Sequence, residues 1–187
     1  MKILLSVVLT LLALFVIFAI FIYSGWYNVS GMNNESGIMK WVLNTTSDNS
    51  VESRLKDISV PNLDDSAMIK EGFVHYDKMC KSCHGAPGKE QTELSKGLNP
   101  PAPYLVEHAK DMSPQELFWI TKNGIKMTGM PAWGKTHSDE KIWAMVAFMK
   151  TLPTLSAEDY EKLENENGMM KEEHEHPGES DEHEHSL

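Results

Sequence analysis

The chain has 187 residues, 41% of them hydrophobic and 24% charged, with a formal net charge of −10. That length accommodates one domain of ordinary size with segments to spare, and the lack of a basic face argues against nucleic acid as a partner. The acidic excess is local: residues 158–187 hold twelve acids against two bases, which leaves 15 of each elsewhere.

From Ile3 to Tyr23 the sequence carries no charge, and only Ser6 and Thr10 interrupt it mildly. A helix of that length spans about 31 Å, matching a hydrocarbon core of about 30 Å. Tyr23, Trp26 and Tyr27 follow, which reads as an interfacial aromatic belt rather than a small-residue cleavage site. Residues 1–27 are therefore expected to be a transmembrane anchor. Lys2 precedes the span and the next base is Lys40, a bias that puts the N-terminus in the cytoplasm and residues 24–187 outside. Residues 28–64, rich in Asn, Ser, Thr and Gly at first, read as a stalk. A short helix is expected there from Asn49 or Ser50 to before Pro61.

Between Asp65 and Cys83 apolar residues recur at Met68, Ile69, Phe73, Tyr76 and Met79, a one-sided stripe that predicts a helix. Gly72 lies on that stripe, where it costs about 1 kcal/mol relative to alanine, and a gap there would admit a bulky side chain from a crossing helix. This helix runs into Cys80-Lys81-Ser82-Cys83-His84, which holds both cysteines of the chain. Two thiols on one helical turn can each add to a haem vinyl group, with the following histidine as an axial iron ligand. A thioredoxin-like redox pair would need a βαβ setting, and half a zinc site would need a second Cys/His pair nearby. Neither is present in the sequence.

Ser113-Pro114-Gln115-Glu116 is a capping box with proline at the first helical position, and Asn123-Gly124 stops the helix it opens. The next loop has glycines at 124, 129 and 134, expected to let the backbone approach a flat ring, and thioethers at Met127 and Met130. Met130 precedes Pro131, a poor position for a core helix, and is the candidate sixth ligand. Met127 is expected to fill space in the core. Ser138 opens a last helix with Asp139 and Glu140 in its first turn and a buried stripe at Ile142, Met145, Val146 and Met149, ended by Pro153. No segment alternates as a strand would, so the fold class is mainly α.

Cys-x-x-Cys-His-Gly, a Met-Pro-Ala-Trp-Gly loop and an amphipathic helix ending at Leu152-Pro153 together resemble the class I cytochrome c family, in its membrane-anchored monohaem form. The resemblance covers roughly residues 66–154. It implies a small helical domain around one covalent haem c, with thioether bonds to Cys80 and Cys83, His84 as proximal ligand and Met130 as distal ligand. It also implies a proline carbonyl that orients the ligand histidine and, two residues on, a leucine packed on the haem. Pro103 and Leu105 fit that pattern best, with Pro100 and Pro101 close by. In the family the two long helices cross, and Gly72 is expected to meet Trp143 or Phe148.

The expected organisation is an anchor over 1–27, a periplasmic stalk over 28–64, a cytochrome c domain over 65–155 and an acidic disordered tail over 156–187. The tail carries His174-Glu175-His176 and His183-Glu184-His185, read as a solvated terminus in preference to a weak metal site. The expected function is single-electron transfer at the bacterial inner membrane, with a quinol-oxidising complex, a dehydrogenase or a terminal oxidase as partner. A haem enzyme or sensor with a labile sixth ligand is the alternative, and a thiol-disulfide oxidoreductase a third.

Overall fold

The structure, a computed structural model, describes residues 2–32 and 37–174. The chain divides at Met39–Lys40 into two compact units. In the first, α1 (Lys2–Tyr23) is long and apolar enough to cross a membrane and buries none of its residues within the protein. Its polar interruptions cost little, because the Thr10 hydroxyl donates to the Ser6 carbonyl at 2.9 Å and so stays satisfied in an apolar medium. Phe21 makes edge contacts with Trp26 and Tyr27.

Where the sequence suggested a short helix from residue 49 or 50 onward, the structure has α2 over Gly37–Glu52. Thr, Asn and Ser weaken a helix by only tenths of a kcal/mol each, so a polar composition did not prevent one here. Its end is closed by Arg54, whose guanidinium donates to the Ser50 carbonyl at 2.6 Å, satisfying one of the acceptors a helix terminus leaves open.

The second unit is built on the crossing of two helices. α3 (Ser66–His75) starts at Asp65, whose carboxylate accepts from the Ala67 amide at 2.9 Å. It continues through a π-helical turn, Tyr76–Cys80, into α4 (Lys81–His84). Short α5 (Glu93–Lys96) and α6 (Leu105–His108) follow, then α7 (Pro114–Asn123), α8 (Asp139–Thr151) and α9 (Ala157–His174). The only extended pairing among the described residues is an isolated bridge between Ala86 and Lys89. Ser113 caps α7 by accepting from the Glu116 amide at 3.1 Å, as its capping box predicts. α8 is buried at every position from Ile142 to Met149, so what looked like a stripe is a whole circumference: α3 and α7 pack on it from two sides.

Gly72 lets α3 and α8 touch. A Cβ placed on it would lie 1.9 Å from the Ala144 carbonyl oxygen and 2.9 Å from the Phe148 Cβ. Phe148 is thus the partner; Trp143 instead stacks on Phe118, ring centroids 4.2 Å apart. Around the crossing Phe73 meets Phe148 and Tyr160 edge-on, at 5.4 and 5.5 Å between centroids.

Tyr160 lies in the segment expected to be a disordered tail from residue 156. The structure corrects that boundary. α9 runs to His174, Tyr160 is fully buried, and its hydroxyl donates to Asp77 at 3.1 Å. One turn on, the Glu164 carboxylate accepts from Lys81 at 2.8 Å and from Lys89. Partial burial pushes the Glu164 carboxyl up, but its bonds to the two ammonium groups outweigh this and hold it below the usual carboxylate range. The tyrosine supplies apolar area and the carboxylate supplies charge pairing, and Leu163 on the core and buried Asn167 add to them, so the helix is held along one side although most residues from 157 to 167 are exposed. The His-Glu-His triplets fall largely outside the described residues, which end at His174.

Two consequences are measurable by denaturant unfolding of the purified protein. Gly72→Ala is expected to destabilise by about 1–3 kcal/mol through overpacking, despite alanine's preference for helix of about 1 kcal/mol; an unchanged midpoint would contradict the close crossing. Glu164→Gln is expected to cost on the order of 1 kcal/mol at neutral pH. Because the folded-state pKa of Glu164 is lowered, its contribution is complete above the unfolded carboxylate value and fades as pH falls through the folded one. The wild-type and variant curves should therefore converge in acid.

Candidate functional site

The π-helical turn ahead of α4 is the first determinant of the site. Inserting one residue per turn rotates the downstream residues about the helix axis, and such turns occur often at functional sites. Here the Lys81 amide bonds the Tyr76 carbonyl, and the turn and α4 together deliver Cys80, Cys83 and His84 to one cavity of about 340 Å³. That volume is within the range of small-molecule and cofactor sites. Leu98, Pro100 to Pro103, Leu105, Leu117, Ile120, Ile125 and Trp133 supply much of its wall, with Met130 among them, so the lining is predominantly apolar.

His84 is fixed by a backbone acceptor. Its Nδ1 lies 2.9 Å from the Pro103 carbonyl oxygen, an acceptor only, so Nδ1 carries the proton and Nε2 keeps its lone pair. Burial pushes the His84 pKa below its ordinary value, against an upward pull from the Pro103 carbonyl. The ring is neutral at pH 7, the state in which imidazole binds metal. Among the three nearby prolines it is Pro103 whose carbonyl makes this bond. Leu105, two residues on, is buried and lines the cavity.

The end of α4 is braced by residues that carry no motif. Gln91 donates from its amide to the carbonyls of Cys83 and Ala102 at 2.7 and 2.8 Å. Ser95 donates to the same Cys83 carbonyl at 2.7 Å, and Thr92 to that of Ser82 at 2.7 Å. These fill acceptors that a four-residue helix leaves open. Tyr76 donates to the Gly85 carbonyl at 2.7 Å and Tyr104 to that of Ala86 at 3.1 Å; burial pushes the Tyr76 phenol far up, keeping it a neutral donor. Sequence reasoning placed Tyr76 on the helix stripe but missed the bonds of all five, because their targets are backbone atoms brought near only by folding.

The methionine loop closes on itself. The Ile125 amide donates to the Met130 carbonyl at 3.3 Å, Thr128 donates its hydroxyl to the Ile125 carbonyl at 2.8 Å, and that hydroxyl accepts from the Met130 amide at 3.1 Å. Met130 is half-buried and lines the cavity. Met127, expected in the core, is corrected: it is 96% exposed, at the tip of the loop with φ +62°. Closing 125 against 130 puts Met127 on the outer side of the loop, while Thr128 still lines the cavity. The loop glycines also differ from expectation. Gly129 lines the cavity, but Gly124, at φ +64°, has the backbone of Met130 to Ala132 within 2.8 Å of its would-be Cβ. That glycine serves the loop's contact with α7 rather than an approach to a ring. His75 and His137 contact each other edge-on at 5.3 Å and lie outside the cavity lining.

Cys80 is not set up as an attacking thiol for redox exchange. Burial, reinforced by the neighbouring Cys83, pushes the Cys80 thiol up to about 12, whereas an exchange-active cysteine has a depressed pKa. Two sulfurs, a neutral imidazole with one nitrogen free, a thioether and an otherwise apolar wall form a donor set that fits a covalently attached haem.

Residues 67–149 match the family model described as cytochrome C oxidase, cbb3-type, subunit III. No curated protein matches the chain. That match runs from the first turn of α3 to the last of α8, the two helices whose crossing organises the second unit, and over these residues the chain is similar to a class I c-type cytochrome domain.

Proposed function

We propose that the protein is a membrane-tethered, single-haem electron carrier. Cys80 and Cys83 would form the thioether bonds to a haem, His84 and Met130 would ligate its iron, the Pro103 carbonyl orients His84, and Leu105 would pack against the group. The observation that carries this reading is the convergence of both thiols, the Nδ1-anchored imidazole and Met130 on one apolar cavity. The bound haem would supply a one-electron store, its iron cycling between Fe(II) and Fe(III).

The chain's own residues tune that store. The bond to Pro103 holds the imidazole plane and raises its basicity. A neutral thioether at Met130 favours the reduced iron and raises the potential. The apolar wall limits water, which keeps the charge change from reorganising its surroundings. With His84 and Met130 both holding the iron, no ligand position would remain for a substrate, so an electron carrier is favoured over an enzyme. α1 serves as the anchor, and the bias of Lys2 over the uncharged span directs the domain to the periplasmic side of a bacterial inner membrane. Partners are membrane redox complexes: a quinol-oxidising complex, a dehydrogenase or, as the matched family's description favours, a terminal oxidase.

Haem staining after denaturing electrophoresis tests covalency. Cys80→Ala or Cys83→Ala should weaken the band and the double variant should abolish it; a stained double variant would refute the thioether assignment. Absorption spectroscopy tests the sixth ligand. Met130→Ala should lose the iron–sulfur charge-transfer band, lower the potential and admit carbon monoxide, while Met127→Ala leaves all three unchanged. If neither variant alters the band, the iron has another sixth ligand and the haem enzyme or sensor becomes the better reading.

A further inference from the structure

We infer that the first turns of α2 are a second membrane contact, an interfacial helix face that lies on the lipid surface next to the anchor. The inference rests on the reading of α1 as a membrane span. Between Gly37 and Ser47 the sequence has a single charge, Lys40. At about 100° per residue, Ile38, Trp41, Val42 and Leu43 spread over a broad arc of the helix and Lys40 falls opposite its middle. These apolar side chains are open to the surroundings: Ile38 is 78% exposed, Trp41 66% and Leu43 53%. The other end of the same helix behaves differently. Asn44 to Ser50 are polar, and Val51 is buried in the second unit. One helix therefore has an end that the domain covers and an end that it leaves bare.

Lipid is the occupant that the chain itself supplies. Residues 24–36 join α1 to α2, and thirteen residues reach at most about 45 Å, so an anchored chain holds this face near the bilayer at all times. Tethering makes the contact intramolecular, and a patch too small to recruit a free partner then suffices. Its chemistry suits the headgroup–acyl boundary: a tryptophan with a polar indole N–H, branched aliphatics that can enter the acyl region, and one lysine able to reach back to phosphate. A protein partner would find no charge or hydrogen-bonding pattern to select on this arc.

Photolabelling separates this contact from the anchor. The full-length, haem-loaded protein is placed in vesicles of phosphatidylethanolamine and phosphatidylglycerol that carry a phospholipid with a carbene-generating group on its acyl chain. Adducts are mapped by peptide mass spectrometry after irradiation. Adducts are expected within residues 3–22 and within 38–43, with peptides from 66–150 at background. Trp41→Glu combined with Leu43→Glu should lose the 38–43 adducts to background and keep both the α1 adducts and the haem spectrum. Adducts in 3–22 alone would overturn the interfacial contact and leave the anchor standing. Adducts in neither segment would overturn both, and 38–43 adducts that persist in the double variant would overturn the assignment of this face.

Discussion

Everything in the second unit is referred to the close passage of α3 over α8. Where Gly72 meets the Ala144 carbonyl the backbones are in contact without an intervening side chain, so the separation of the helices is set by main-chain atoms, which do not adjust. Phe73, Tyr76, Phe148 and Tyr160 fill the angles around the crossing and are all buried. α3 leads directly into the cysteine-bearing turn, so fixing it on α8 fixes where Cys80 begins the site. Met149, on α8, lines the cavity itself. A softer contact at Gly72 would let the turn shift against the wall it must match.

From this crossing outward, rigidity passes through backbone carbonyls more than through side-chain pairs. Gln91 and Ser95 hold the Cys83 carbonyl, the Pro103 carbonyl holds His84, and Lys150 on α8 donates to the carbonyls of Ala109 and Met112. Most of these bonds tie an irregular segment to a helix, and the one from Ser95 ties α5 to α4. This is how a domain with few long helices can present a defined pocket: its loops are satisfied by specific donors instead of by a sheet. An electron carrier gains from such bracing, since a wall that does not move when the iron changes charge keeps the reorganisation cost low.

What was legible in the sequence were features whose physics is local. The capping box at Ser113, the stop at Gly124, the helix through 65–83 and the absence of strands all follow from neighbours in the chain, and the described residues have them. Gly72 was legible too, because a glycine on an apolar helical stripe asks for a reason. Met127 and Met130 show the limit. Their composition is the same, and only the closure of residue 125 on residue 130, through the Thr128 hydroxyl, decides which one faces the cavity and which one solvent. Gln91, Thr92 and Ser95 left no sequence signal, since a polar side chain gives no hint of the carbonyl it will find. α2 was obscured by a linker-like composition.

The hardest element to read was α9, and the reason is quantitative in kind. A helix is usually recognised by a stripe of apolar residues repeated over several turns, but a helix added to a finished core needs only enough contact to hold it. Tyr160 fills a groove whose walls, Phe73 and Phe148, already exist, and Glu164 finds Lys81 and Lys89 in place. Tyr160 and Glu164, a turn apart, supply the main contacts, with Leu163 packed on the core and Asn167 buried beside them, while Glu158, Asp159, Glu161 and Glu166 stay exposed. The consequence reaches the site: Lys81 is one of the two residues between the cysteines, and it also pairs with Asp77, which accepts from Tyr160. Asp77, Lys81, Glu164 and Tyr160 thus form one network behind the cysteine turn. The packed domain extends past the matched segment, and the helix beyond it closes the core under the residues that would carry the haem.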